Sequence, residues 1–348
     1  MILVTGGTGL LGSHLMFSLL SKGEKVRASH RKSSHLESVK HVFSYYVDTP
    51  RAEELFQAIE WVEADLLNVD EVHDLLEGID TVYHCAAIIS FYPKDADAMI
   101  KLNPQVTALL VNESLERTAS NPEFAFCHVS SVAALGRKGP EAAEEPDGYL
   151  DEDALWTESP ENSNYAKSKY LAEMEVWRGV EEGLNATIVN PCIILGPGYW
   201  EGGSGKLFSS VYNQFPYYTE GVNAFVDVRD VVDCMVKLVD QKIWSERFLT
   251  TGENTSYKDL FFQIADALGV KRPHKKPNKT LMELVWRVEW LRSVLFGSKP
   301  LVTKETARSA RGVYRYSSAK IEKRLGFTFR PLAESVAEFS QFFRQDHS

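Results

Sequence analysis

The first twenty residues, MILVTGGTGLLGSHLMFSLL, limit the possible folds more than any other stretch of the chain. Ile2, Leu3 and Val4 form an apolar run that enters Gly6, Gly9 and Gly12, after which Leu11, Leu15 and Leu19 recur at helical spacing. Strand, tight turn and helix are written in succession. Each glycine has its own reason to lack a side chain. One lets the chain turn sharply, one lets backbone N–H groups approach a diphosphate, and one lets the helix pack closely on the strand. The helix start carries partial positive charge and unpaired N–H groups, which makes it an anion site. Gly6, Thr8, Gly9, Leu10, Leu11 and Gly12 are therefore expected to bind a dinucleotide. The spacing G-x-x-G-x-x-G is tighter than the G-x-G-x-x-G of many dehydrogenases.

A length of 348 residues suits one α/β domain with a smaller appendage, and a net charge of −10 disfavours nucleic acid or an anionic membrane as partner. Small-molecule chemistry fits better. The chain enters its first strand at once, with no charged and apolar leader, so a cytoplasmic location is expected. Cys85, Cys127, Cys192 and Cys234 lie far apart, with no C-x-x-C pair. Reduced, buried thiols are expected, and no metal site.

Further along, Lys25–Ser29 reads as a second strand, followed by His30, Arg31 and Lys32. In a dinucleotide fold the end of this strand faces the adenosine ribose. A carboxylate there would repel a 2′-phosphate, whereas cations favour NADP(H) over NAD(H). A solvated basic loop is the plainer alternative. The insert 33–60 carries a helix near Ala52–Ile59. Trp61–Ala64 is a third strand, and Asp65 after it either accepts from the adenine amino group or caps the next helix. Thr81–Cys85 is a fourth strand whose small residues Cys85, Ala86 and Ala87 leave room for the cofactor, with His84 packed within. A helix near Ala96–Glu116 contains Asn103 and Pro104, the proline either kinking it or marking its start. Phe124–Val129 is a fifth strand, ending at Ser130 and Ser131. A loop from Gly136 to Pro160 leads to a helix over Ser163–Glu181. Ala186–Ile194 is a sixth strand, broken by Pro191. The aromatic stretch Lys206–Tyr218 is expected to line the substrate side. Asn223–Val239 should return a strand and helix to the main sheet, with Arg247–Thr250 a last strand. The remainder reads as helical. Leu281–Phe296 is apolar but interrupted by charge and too short to span a bilayer, so it reads as a packed helix.

Tyr165 and Lys169 are four apart and share one helix face. A phenol with a reference pKa of about 10 is a poor acid or base near neutrality, and an adjacent ammonium would lower that value. Such a tyrosine can pass a proton to or from a carbonyl or carbinol oxygen while hydride moves on a nicotinamide. Ser131 would hold the same oxygen.

With these residues in this order, the chain resembles an extended short-chain dehydrogenase/reductase. The resemblance is carried by TGGTGLLG (5–12), ADL (64–66), YHCAA (83–87), SS (130–131), YAKSK (165–169), NPCIILGPG (190–198) and FVDVRDVV (225–232). Within the family, VRASHR (26–31), KPLVTKETAR (299–308) and LGF (325–327) resemble the dihydroflavonol-4-reductase and 3β-hydroxysteroid dehydrogenase-like branch. The resemblance implies a catalytic set of Ser131, Tyr165 and Lys169, with Asn103 as a fourth member. It also implies cofactor contacts from Asp65 and Leu66 at the adenine and from Pro191, Ile193 and Ile194 at the nicotinamide, besides Ser130, Tyr165 and Lys169. Three departures stand out: Asn103 is followed by Pro-Gln-Val-Thr where a Gly usually precedes the Thr, Asn190 stands where an Arg commonly precedes the Pro, and the insert before Trp61 is atypical.

The expected fold is a Rossmann-type doubly wound parallel sheet with a smaller, mainly helical C-terminal substrate lobe. Residues 1–191, with 223–255 returning, would bind the cofactor, and 192–222 with 256–348 the substrate. The expected function is an NADP(H)-dependent oxidoreductase acting on a ketone or secondary alcohol of a hydrophobic substrate. A nucleotide-sugar epimerase or dehydratase with retained NAD(P) and a non-catalytic NAD(P)-sensing protein are the rivals. Tyr170, Leu171, Met174 and Trp177 on the helix 163–181 leave a homodimer and a monomer both open.

Overall fold

The computed structural model describes residues 1–136, 148–278, 286–288, 292 and 303–348. Seven strands form one parallel sheet in the order β3-β2-β1-β4-β5-β6-β9. These are β1 (Ile2–Thr5), β2 (Val26–His30), β3 (Glu60–Glu63), β4 (Thr81–His84), β5 (Ala125–Val129), β6 (Ala186–Pro191) and β9 (Glu246–Thr250). The order reverses between β1 and β4, and in such sheets the crevice at that switch point, beyond the strand carboxyl ends, is where ligands bind. It is the Rossmann-type fold that the glycine run implies.

Strand sequences show why helices cover both faces. Leu3, Val82, Phe126 and Ile188 enter one core, and their neighbours Val4, Tyr83, Cys127 and Val189 enter the other. Both faces of each strand are apolar, so neither can meet water. Helices α1 (Leu10–Ser21) and α8 (Val228–Asp240) pack on the second core, while α5 (Ala96–Ser120) and α6 (Asn164–Glu181) lie against each other on the first. Ser163 caps α6, its hydroxyl accepting from Ala166 N at 3.0 Å. Helix α5 begins at Ala96 and runs through Pro104, so the proline does not mark its start.

Two strand readings need correction. The sixth strand leaves the main sheet at Pro191, and β7 (Ile193–Leu195) belongs to a second sheet of three strands. Proline has no N–H to continue a ladder, and the chain crosses over there. Likewise β8 (Val222–Asp227) does not return to the main sheet; it pairs parallel with β7 and antiparallel with β10 (Glu253–Ser256). Only the helix that follows it, α8, comes back.

The second sheet carries the smaller lobe, whose core joins Leu195 of β7, Phe225 of β8, Trp200, Phe208 of α7 (Lys206–Tyr212), Leu260 and Ile264 of α9 (Tyr257–Leu268), and Phe339 and Phe343 of the C-terminal helix Leu332–Asp346. Within the aromatic stretch 206–218, Phe208 is buried and Tyr212 packs on Phe343 with ring centroids 5.2 Å apart, while Phe215 is exposed. The apolar helix read at 281–296 lies almost wholly outside the described residues. No helix among the described residues is long and apolar enough to cross a membrane.

The insert folds into α2 (Glu37–Ser44) and α3 (Thr49–Gln57), the second capped by Asp48. Its Phe43 and Tyr46 meet Phe17 of α1, and Tyr46 shares a hydrogen bond of 2.9 Å with buried His14. Burial pushes His14 down to about 4, so this imidazole stays neutral. The insert thus buttresses the first helix.

Candidate active site

At the carboxyl end of β1 the chain turns through Gly6, whose φ of +70° suits glycine, and Gly9 N donates to Gly6 O at 2.9 Å. A Cβ on Gly6 would come within 2.7 Å of Ala86 N, and one on Gly12 within 2.3 Å of Gly6 O. The turn is packed against the end of β4 on one side and the start of α1 on the other. Gly9 caps α1 without any side-chain bond to its first N–H groups, and the first turn holds no acidic residue. Unpaired donors, a positive helix end and a cradle that side chains would fill suit a diphosphate, so the residues present fit a dinucleotide. Tyr199, from the loop after β7, donates its hydroxyl to Thr8 O at 2.5 Å and fixes the turn from the small-lobe side. Nothing local in the sequence marks that bond.

Beside the turn, β2 ends at His30, whose ring meets Trp61 edge-on, and Arg31 and Lys32 follow on the exposed surface. Asp65 is exposed; its Oδ1 accepts from Leu67 N at 3.0 Å, and Leu66 packs against the core. Cys85 and Ala86 are partly buried and Ala87 is exposed at the end of β4. His84 is a packed strand residue, bonded to Thr5 Oγ1 at 2.8 Å and Thr107 Oγ1 at 3.1 Å. Pro191 is buried at the end of β6, while Ile193 and Ile194 are half-buried in β7.

The remaining candidates converge between the end of β5 and the first turns of α6. Ser131 is buried, its Oγ accepts from Ala133 N at 3.2 Å, and it hydrogen-bonds the Tyr165 side chain. Lys169 Nζ donates to Val129 O at 2.6 Å. Asn103 Oδ1 accepts from Ile88 N at 2.8 Å, and its Nδ2 donates to Ile88 O at 3.0 Å and Ser168 Oγ at 3.2 Å. That amide bolts the loop after β4 to the helix turn between Tyr165 and Lys169. Phe91, on the same loop, lies edge-on to Tyr165 with centroids 5.8 Å apart. Phe91 is 40% exposed and Ile89 66%, an apolar ledge beside the phenol.

Electrostatics differ from expectation at one point. Burial raises the Tyr165 phenol above its ordinary value, and the Ser131 bond only partly offsets this. The lowering expected from the neighbouring ammonium is not seen, because desolvation of the phenolate dominates and Lys169 directs its N–H to Val129. Burial also pulls Lys169 down to about 8, against the attraction of Glu173. Ser130, assigned to the cofactor by sequence, gives its hydroxyl to Glu173 at 2.6 Å. Glu173 escaped the sequence reading, although Tyr165, Lys169 and Glu173 continue one four-residue spacing.

Tyr170 and Trp177, offered above as pairing residues, have partners within the chain. Tyr170 stacks on Trp156 at 4.4 Å and Trp177 donates to Glu173 at 3.3 Å.

Comparison with known proteins identifies the family. The family described as "NAD dependent epimerase/dehydratase family" matches residues 2–247. "Sterol demethylase protein B" of Methylococcus capsulatus is 29% identical over 81% of this chain and 78% of its own length. A "putative dihydroflavonol 4-reductase" of Synechocystis is 27% identical over 99% of this chain and 94% of its own. The crystal structure of gox2253 superposes with a TM-score of 0.76 at 28% identity, covering 99% of this chain and 98% of that one. The chain belongs to the NAD-dependent epimerase/dehydratase family, and is an NAD(P)-dependent enzyme of the extended short-chain dehydrogenase/reductase type.

Proposed function

We propose that the protein is an NADP(H)-preferring reductase of a ketone on a hydrophobic substrate, similar to dihydroflavonol 4-reductase, with Ser131, Tyr165 and Lys169 as its reacting set. The observation that carries this reading is the Tyr165 hydroxyl, held neutral by burial, bonded to Ser131 and flanked by exposed Phe91. A neutral phenol is the form that donates. In the reductive direction Tyr165 gives its proton to the carbonyl oxygen, Ser131 hydrogen-bonds that oxygen, and the ammonium of Lys169 favours the phenolate left behind. A reduced nicotinamide, when bound, supplies the hydride. The parallel-sheet layer is assigned to the cofactor, and the smaller lobe with the Ile89–Phe91 ledge to the substrate. An uncharged apolar ledge suits a ring ketone better than a sugar diphosphate.

The test is NADPH consumption with a bicyclic aryl ketone such as 4-chromanone, against UDP- and GDP-sugars. Oxidation of NADPH by the ketone supports the reading. Sugar conversion with tightly retained NAD reverses it in favour of an epimerase, and binding with no turnover of any ketone or sugar leaves a sensor.

Cofactor choice is tested separately at Arg31, exposed beyond β2. Loss of one charge-assisted bond and gain of a repelling carboxylate should lower the NADPH-to-NADH affinity ratio of Arg31→Glu about 10- to 100-fold. An unchanged ratio in titration calorimetry rejects the 2′-phosphate argument.

A further inference from the structure

Glu173 lies one helical turn beyond Lys169 on α6 and is 1% exposed. A carboxylate so deeply buried is tolerated only when both oxygens are matched. Oε2 accepts from Ser130 Oγ at 2.6 Å and Asn190 Nδ2 at 2.8 Å, and Oε1 from Arg247 Nη1 at 3.1 Å and Trp177 Nε1 at 3.3 Å. The donors come from beside β5, from β6, from β9 and from α6 itself, so one side chain ties three strands to the helix bearing Tyr165 and Lys169. Asn190 also donates to Ser131 O at 3.0 Å. The backbone of Ser131 thus hangs on Glu173 through a single amide. That gives a structural role to Asn190, the residue that departs from the family pattern. Arg247 forms an ion pair with the carboxylate and also donates to Glu152 O at 2.6 Å and Ala154 O at 2.6 Å, in the segment that leads toward α6.

Charge points the same way. Among the described residues, the ionisable groups acting on Lys169 are Glu173 on its own helix, Cys85 beyond β4, His84 on β4 and His128 on β5. Burial drives Cys85 up to about 12 and His84 down to about 3, and holds His128 well below its ordinary value. All three are neutral near pH 7, which leaves the Glu173 carboxylate, one helical turn away, as the charge that attracts the ammonium.

We propose that Glu173 is a positioning residue: through Ser130 and Asn190 it fixes the strand end that presents Ser131, and it supplies the negative charge facing Lys169. The inference rests on the reading of Ser131, Tyr165 and Lys169 as the reacting set.

The experiment follows the Lys169 side-chain nitrogen by NMR in protein labelled at lysine 15Nζ, assigned with Lys169→Arg, as pH is raised. The wild-type midpoint is expected at about 8. In Glu173→Gln the ammonium loses that attraction, so it should deprotonate at a pH lower by roughly one to two units. Glu173→Asp, which keeps the charge, should stay near wild type. A Glu173→Gln midpoint equal to wild type overturns the charge half. The double variant Ser130→Ala, Asn190→Ala keeps the carboxylate and removes the ties. It should lower kcat for 4-chromanone about tenfold or more, with NADPH affinity unchanged. Unchanged kcat overturns the positioning half, and this variant decides the matter even if Glu173→Gln fails to fold. A wild-type protein without ketone turnover sinks the reductase reading, yet the Lys169 titration still reports on Glu173.

Discussion

Tyr165→Phe should lower kcat for ketone reduction by about 10²–10⁴ while leaving NADPH affinity unchanged. That factor is what a positioned general acid contributes. The substitution removes one oxygen and keeps the ring, so the edge contact with Phe91 survives. Ser131 keeps its bond from Ala133 N, which limits the structural cost to one lost hydrogen bond, about 1 kcal/mol. Stopped-flow absorbance of the reduced cofactor separates the steps: binding intact, hydride transfer nearly gone. Equal turnover in variant and wild type removes Tyr165 from the mechanism. The wild-type pH profile belongs to the same argument. Lys169 is charged below its lowered pKa of about 8 and neutral above it. Reduction should therefore fall as pH rises through that value, since the phenolate formed loses its stabilising charge. In Tyr165→Phe the residual rate should show no such limb.

Gly12→Ala should weaken cofactor binding by tenfold or more and destabilise the fold. A methyl at this position sits 2.3 Å from Gly6 O and 2.9 Å from Gly7 Cα, both backbone atoms of the turn itself. Two effects oppose each other. Alanine is favoured over glycine inside a helix by about 1 kcal/mol. Overpacking of a buried contact costs about 1–3 kcal/mol, and here the obstacle is main chain and cannot rotate away. The clash wins. Relief requires the turn to open, which displaces the N–H groups offered to the diphosphate. Gly202→Ala is the matched control, because a Cβ there meets nothing within 4 Å. Differential scanning fluorimetry and NADPH titration of both variants provide the comparison. A Gly12→Ala protein as stable and as tightly binding as the control contradicts the packing account.

These two sites were also the most legible in the chain, for a physical reason. Both are local: three glycines between an apolar run and a helical pattern, and a phenol and ammonium one turn apart. The features that stayed hidden are long-range. Arg247 and Glu173 are separated by 74 positions, and Tyr199 and Thr8 by 191, so no periodicity connects them. Strands β7 and β8 read as main-sheet strands because an apolar run does not say which sheet it will join. Pro191 was the one local sign of the departure. Helix α2 sits between these extremes. Val39, Val42 and Phe43 are buried at helical spacing, but the charged residues around them obscure the pattern. Asn103 illustrates a subtler limit. Its place beside α6 follows from the family resemblance, whereas its hold on the Ile88 backbone emerges only from the folded loop.

The most direct test supplies NADPH carrying deuterium at both C4 positions of the nicotinamide together with 4-chromanone, and analyses the alcohol by mass spectrometry and NMR. The account predicts one deuterium on the carbinol carbon, delivered to a single face, with stoichiometric appearance of NADP⁺. Alcohol formed without label, or label that stays on the enzyme-bound cofactor while a nucleotide sugar is interconverted, would contradict it.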